Sequence, residues 1–268
     1  MKVLVSHIHL KHLPVRVGIV LLLTGMFSCI PMQKVPKDAQ MTDFFHFQKS
    51  DDFDASKWAV FLPGTGGLRI FKDTIHYYKM AEKLNDIGIS VLLVDNVAAY
   101  KASGKKDLDN ESDKILWTLN QALIWAKQHQ FIESDGTLVG WSRAGIGAIP
   151  LANIPNLLHH YGIDSMVLFY PANPSKIYLQ PGIPVLVLTG SDDRIIKPDD
   201  ILDHMIAENV NIKIYDGAYH GFDVESLKKG KYFRYIPFLS KKHYLLKYDE
   251  KASHEAVTDW IEFMKKQH

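Results

Sequence analysis

Six short apolar runs recur along the chain: WAVFLP at 58–63, ISVLLVD at 89–95, TLVGW at 137–141, MVLFYP at 166–171, VLVLTG at 185–190 and IKIYDG at 212–217. Each is near-continuous in apolar side chains and rich in Val, Leu and Ile, the pattern of a strand covered on both faces rather than on one. Stretches with helical apolar spacing lie among and after them, at 71–84, 111–128, 198–208 and 250–266. This alternation predicts an α/β class, with a mostly parallel, doubly wound sheet and helices on both of its faces. Trp117, Leu119 and Trp125 fall where a packed helix face would put them. No internal repeat, low-complexity segment or Pro/Gly/Ser-rich linker interrupts the series, so residues 57–268 read as one domain.

The first part of the chain has a different pattern. Lys2, Lys11 and Arg16 occur without any acid, and an 11-residue apolar run follows at 17–27. That is the outline of a signal peptide, and the run is short against the ~20 residues a spanning helix needs. It ends in Met26-Phe27-Ser28-Cys29, which resembles the lipobox of bacterial lipoproteins, with Met26 where leucine is usual. The resemblance implies a signal peptide over 1–28, a lipid anchor on Cys29 and a tether over 29–56. The protein would then lie in the cell envelope, periplasmic or anchored to the outer membrane, or be secreted if no lipid is added. The histidine-rich HIHLKH tract falls inside this leader and would leave with it.

Composition narrows the chemistry. Hydrophobic residues make up 47% and charged residues 23% of 268, ordinary values for a chain with a core. With 31 basic and 30 acidic residues the net charge is +1, without the basic excess that binding to nucleic acid calls for. Cys29 is the sole cysteine, so neither an internal disulfide nor a multi-thiolate metal site is available. No cofactor or metal is expected. His159 and His160 have no neighbouring carboxylate or cysteine in sequence and read as solvated or capping residues.

Strand TLVGW runs directly into GWSRAG, placing Ser142 where a strand turns sharply into a helix. Such a turn lifts the hydroxyl above the sheet, and small neighbours keep the turn from colliding with adjoining elements. Ala144 stands where the usual G-x-S-x-G pattern has its last glycine. After VLVLTG comes SDDRIIKP with Asp193, and after IKIYDG comes AYHGFD with His220, each in the loop beyond a strand. Serine needs an imidazole to take its proton, and the imidazole needs a carboxylate to fix its tautomer. The order Ser142, Asp193, His220 provides these three groups at strand carboxyl ends. Asp192 is the alternative acid. Asp95, also at a strand end, reads better as a turn or helix-start residue. The glycine loop LPGTGGL at 62–68 frees the backbone to aim amides inward, so the N–H of Thr65 and that of Arg143 are the candidate oxyanion donors. This loop lacks the Gly-Lys-Ser/Thr ending of a nucleotide-binding loop.

Together GWSRAG, LTGSDDRIIKP, YDGAYHGFD and the closing YDEKASHEAVTDWIEFMKKQH resemble the dienelactone hydrolase family of the α/β-hydrolase superfamily, over about residues 56–266. The resemblance implies an α/β-hydrolase fold and metal-free hydrolysis of a small-molecule ester or lactone through an acyl-enzyme. It is to the serine-esterase members, because the dienelactone hydrolases proper use cysteine as nucleophile. Pro63 occupies the position where many hydrolases carry a histidine ahead of the oxyanion glycine. The alternatives are a serine peptidase of related fold and a non-catalytic cell-envelope binding or virulence protein on the same scaffold, the latter favoured by Ala144 and Pro63. One more segment stands out: 228–247 holds seven basic residues and no acid, interleaved with aromatics such as Tyr232 and Tyr244. It reads either as a solvated loop or as a rim contacting an acidic substrate or an anionic lipid surface.

Overall fold

The computed structural model describes residues 35–134, 136–234 and 243–268. The signal and lipidation segment, with Cys29, lies outside them, as do Lys241 and Lys242. The strands are β1 (Phe45–Gln48), β2 (Trp58–Leu62), β3 (Ser90–Val94), β4 (Gly136–Trp141), β5 (Ile163–Phe169), β6 (Val185–Gly190) and β7 (Val210–Tyr215). They form one sheet in the order β1-β3-β2-β4-β5-β6-β7, parallel throughout except for β1, which runs antiparallel on the edge. All residues of β2, β3, β4 and β6 are buried, as their unbroken apolar runs require.

Among the described residues seven α-helices connect or cover these strands: α1 (His76–Asn85), α2 (Asn96–Ala102), α3 (Glu111–Gln128), α4 (Gly145–Ala152), α5 (Pro155–Tyr161), α6 (Pro198–Met205) and α7 (Glu250–Gln267). Ile115, Leu119 and Leu123 of α3 pack on one face of the sheet with Ala148 and Leu151 of α4 and Ile201 of α6. Tyr77, Met80 and Leu84 of α1 cover the other face with Ala256, Trp260 and Met264 of α7. The sheet is therefore the middle layer of three, as expected of a doubly wound chain. Trp125 packs edge-on against Phe131 and tilted against Phe45, and Trp117 edge-on against Tyr100.

Within the stretch read as a tether, β1 pairs with β3 from Phe45 opposite Val94 to Gln48 opposite Val91, and Phe44 and Phe45 are buried. The domain boundary at 57 is thus corrected to a point before Met41, where a short 3₁₀ turn leads into β1. An edge strand is held by main-chain bonds to a partner distant in sequence, and FHFQ carries too little apolar pattern to announce it. In the basic aromatic segment, β8 (Lys231–Arg234) and β9 (His243–Leu246) pair as an antiparallel ribbon. The ribbon returns the chain to His220, whose carbonyl accepts from Lys247 N at 3.3 Å. Among the described residues, no helix is long and apolar enough to cross a membrane.

Strand order reverses between β2 and β4, the neighbours from which the chain departs to opposite sides. In open α/β sheets the crevice at the carboxyl ends of such a pair is where ligands collect. Here β2 leads into the glycine loop and β4 into Ser142.

Candidate active site

Ser142 takes φ of +48°, a conformation that costs an L-residue of order 1–3 kcal/mol and persists only where the surroundings impose it. Those surroundings are tight. A Cβ added to Gly145 would lie 2.7 Å from Pro171 Cβ and 2.8 Å from the main-chain N of Ala172, and Ala172 N donates to the Ser142 carbonyl at 2.8 Å. Glycine is therefore required one position beyond the usual motif site. The methyl of Ala144 is accommodated because Gly140 has none: a Cβ there would come within 3.2 Å of it.

The loops after β6 and β7 are joined. Ser191 N donates to the Tyr215 carbonyl at 2.9 Å and Asp192 N to the Ala218 carbonyl at 3.0 Å. This brings Asp193 Oδ2 to 2.7 Å from His220 Nδ1, while His220 Nε2 lies 3.0 Å from Ser142 Oγ. Asp193 is fully buried, and its other oxygen accepts from the amides of Ile195 at 2.8 Å and Ile196 at 2.9 Å. Asp192 turns away and lies 3.8 Å from Arg194. Of the two neighbouring acids, Asp193 is the one in contact with the imidazole. His159 and His160 are exposed on α5.

The glycine loop passes directly over the serine: a Cβ on Gly64 would be 3.5 Å from Ser142 Cβ. Two side chains from elsewhere hold it. Tyr77 of α1 accepts from Gly64 N at 3.1 Å, a support for which Pro63 gave no hint. Asp95 accepts from Leu68 N at 3.2 Å and, as N-cap of α2, from Ala98 N at 2.9 Å. Asp95 is thus a helix-start residue and a clamp on the loop. Burial pushes its carboxyl above the usual range, although these amides and His46 oppose the shift. Gly67 sits against this carboxylate with φ of +68°, where an added Cβ would meet Asp95 Oδ1 at 2.2 Å.

A third buried carboxylate, Asp223, escaped the sequence reading, although HGFD contains it. Asp223 accepts from Trp141 Nε1 at 2.9 Å and Tyr170 Oη at 2.6 Å, with His76 Nε2 at 3.2 Å. Burial would raise its pKa, but His76, Tyr170 and Trp141 together hold it below the ordinary carboxylate range. Tyr170, itself at φ +37°, packs its ring 4.4 Å from that of His220. Asp223 thereby braces the wall against which the imidazole rests. No motif marks this arrangement, because its members come from α1, β4, the end of β5 and the loop after β7.

Two cavities meet at Thr65. One, about 70 Å³, reaches Ser142 and His220 between apolar side chains that include Ile70, Phe71, Ile195, Val224, Leu227 and Leu246. The other, about 400 Å³, opens beside Arg143 and is rich in polar and basic groups. Among the described residues no cluster of three or more His, Cys, Asp or Glu could hold a metal ion.

The sequence model of the dienelactone hydrolase family matches residues 96–268, from the start of α2 to the last residue of the chain. The chain belongs to the dienelactone hydrolase family. Membership covers β4 to α7 and hence the turns carrying Ser142, Asp193 and His220, and it supports hydrolase activity. No curated protein matches the chain significantly. Among solved structures, a candidate dienelactone hydrolase of Klebsiella pneumoniae superposes with a TM-score of 0.57 at 14% identity, covering 82% of this chain and 98% of that one. The sugar hydrolase YeeB of Lactococcus lactis gives 0.55 at 15% identity, over 83% and 93%. Est1E of Butyrivibrio proteoclasticus, solved with ferulic acid bound, gives 0.53 at 14%, over 83% and 95%. At these identities the likeness carries the fold, which is that of the α/β hydrolases. This dienelactone hydrolase family member has serine at the strand-to-helix turn.

Proposed function

We propose that the protein is a serine hydrolase that cleaves a carboxylic ester or lactone through an acyl-enzyme. The observation that carries this reading is the continuous contact from Asp193 through His220 to Ser142 Oγ at a strained strand-to-helix turn. Ser142 Oγ attacks the acyl carbonyl as its proton passes to His220 Nε2, and Asp193 keeps the imidazole in the required tautomer and stabilises its cationic form. The main-chain N–H groups of Thr65 and Arg143 receive the developing oxyanion, each such donor being worth roughly 2.7–4 kcal/mol. His220 then returns the proton to the departing alkoxide. Water, deprotonated by the same imidazole, attacks the acyl-serine, and collapse of the second tetrahedral adduct frees the acid and restores Ser142. The apolar cavity beside Ser142 suits a short hydrocarbon portion of the substrate.

Reaction with a fluorophosphonate probe tests this directly. Wild type becomes labelled on Ser142 and hydrolyses simple esters, and absence of both would leave the scaffold without this chemistry. The leader carries a separate part of the reading, in which Cys29 is lipidated and anchors the enzyme in the cell envelope. Cys29→Ser would then leave the unprocessed precursor, whereas a soluble mature chain beginning downstream of Cys29 would contradict the anchor.

A further inference from the structure

The cavity beside Arg143 differs from the apolar one in its unused hydrogen-bonding capacity. Asn96 is 2% exposed, yet both its Nδ2 and its Oδ1 are buried without a partner among the described residues. Tyr100 Oη, one turn further along α2, and Arg143 Nη1, from the turn after β4, are buried and unpartnered in the same way. All three side chains line this one cavity. Three such groups in the wall of one cavity mark a place whose polar capacity the fold itself leaves unspent.

The charges around it narrow the choice. Among the described residues Lys101, Lys106 and Lys114 line the cavity without an anionic partner, and Lys105 lines it while held by exposed Asp107. Glu111, the sole acid in the lining, is taken by Arg143 through Nη2, which leaves Nη1 to point elsewhere. Asp95, behind the cavity, acts on Arg143 as a further negative charge. Even so, cations exceed acids in the lining, and a neutral or cationic occupant would leave that excess uncompensated. A tetrahedral dianion uses guanidinium, amide, phenol and ammonium donors arriving from several directions, where a planar carboxylate uses fewer.

We infer that this cavity is a binding site for a phosphate group, and that it holds the phosphate of a substrate whose acyl carbonyl lies at Ser142. The two cavities share Thr65, and Arg143 follows Ser142 directly, so one molecule can reach both. The substrate would pair a short apolar acyl portion with a phosphate-bearing alcohol portion. As a substrate subsite the proposal rests on the serine-hydrolase reading. As a phosphate site it does not.

The experiment separates the two. Inorganic phosphate is titrated calorimetrically into wild type and into Ser142→Ala, with chloride at matched ionic strength as control. Both proteins bind it with Kd on the order of 1 mM or tighter. Asn96→Leu and, because Asn96 is the first residue of α2, the surface double variant Lys101→Glu/Lys106→Glu each weaken binding at least roughly tenfold, the loss expected from removing charge-assisted contacts. Absent binding, or binding that neither variant weakens, overturns the site. In the second arm, esters of one acyl group with glycerol and with glycerol phosphate are compared by kcat/KM. The phosphate ester leads by roughly tenfold and the double variant removes that lead. A ratio near one in wild type overturns the subsite role. The same acyl group presented on phosphatidate vesicles tells the source: preference for the soluble ester supports a small molecule, preference for the vesicle a lipid headgroup. Phosphate binding without fluorophosphonate labelling of Ser142 would count against the nucleophile, not against the phosphate site.

Discussion

The cavities on either side of the glycine loop share Thr65 but treat polar groups in opposite ways. Trp141, Tyr77 and Tyr170 line the apolar one, and the polar atom of each is satisfied behind the wall, on Asp223 or on Gly64 N. What faces Ser142 on that side is hydrocarbon and aromatic surface. Beside Arg143 the reverse holds: the side chains of Asn96, Tyr100 and Arg143 keep buried donors with no internal partner. The physical lesson is that a pocket's preference follows from where its polar groups are spent as well as from which residues line it. A wall whose polar atoms are bonded outward accepts apolar groups, and one whose polar atoms are idle accepts groups that can bond to them.

If both cavities serve one reaction centre, removing the nucleophile abolishes turnover of apolar and phosphate-bearing esters alike. Ser142→Ala is expected to lower kcat on the order of 10⁶-fold for both while the folded CD spectrum remains. Loss on one substrate class only would divide the cavities between two activities. Next in size, Asp193→Asn should cost on the order of 10⁴-fold through the wrong imidazole tautomer. Asp192→Asn, which touches Arg194 instead, should change steady-state rates little.

The partition between the cavities can be attacked at Gly67. An alanine there must displace Asp95 and occupy a positive φ. Gly67→Ala is therefore expected to lower stability by about 1–3 kcal/mol and to raise KM for substrates of both classes, read by thermal melting and by kinetics. A variant with unchanged melting and kinetics would show that the loop does not need its clamp.

The smallest expected effect concerns pH and the apolar wall. Asp223 has a folded-state pKa below its unfolded value, so the stability it contributes is present above the ordinary carboxylate range and is lost as pH falls through the depressed value. In urea melts the gap between wild type and Asp223→Asn should accordingly be full near neutrality and narrow below about pH 4. A gap that widened on acidification would mean that the carboxylate is not held ionised by His76, Tyr170 and Trp141.

Much of this molecule is legible from local pattern. Unbroken apolar runs marked the six parallel strands because such a strand is covered on both faces, and 111–128 coincided with α3 because helical spacing is a property of neighbouring residues. Ser142, Asp193 and His220 were readable because each follows a strand end directly, so chain order alone placed them on one edge of the sheet. Other features depend on residues far apart in sequence. β1 exists because FHFQ finds the free edge of β3, Tyr77 supports Gly64 only when α1 folds back over the sheet, and Asp223 meets Trp141, Tyr170 and His76 from separate elements. The phosphate cavity is the extreme case. Asn96, Tyr100 and Arg143 are unexceptional singly, and only the packing of α2 and α3 against the turn after β4 buries their polar atoms together, since solvation and its loss are decided by the assembled structure rather than by neighbours along the chain.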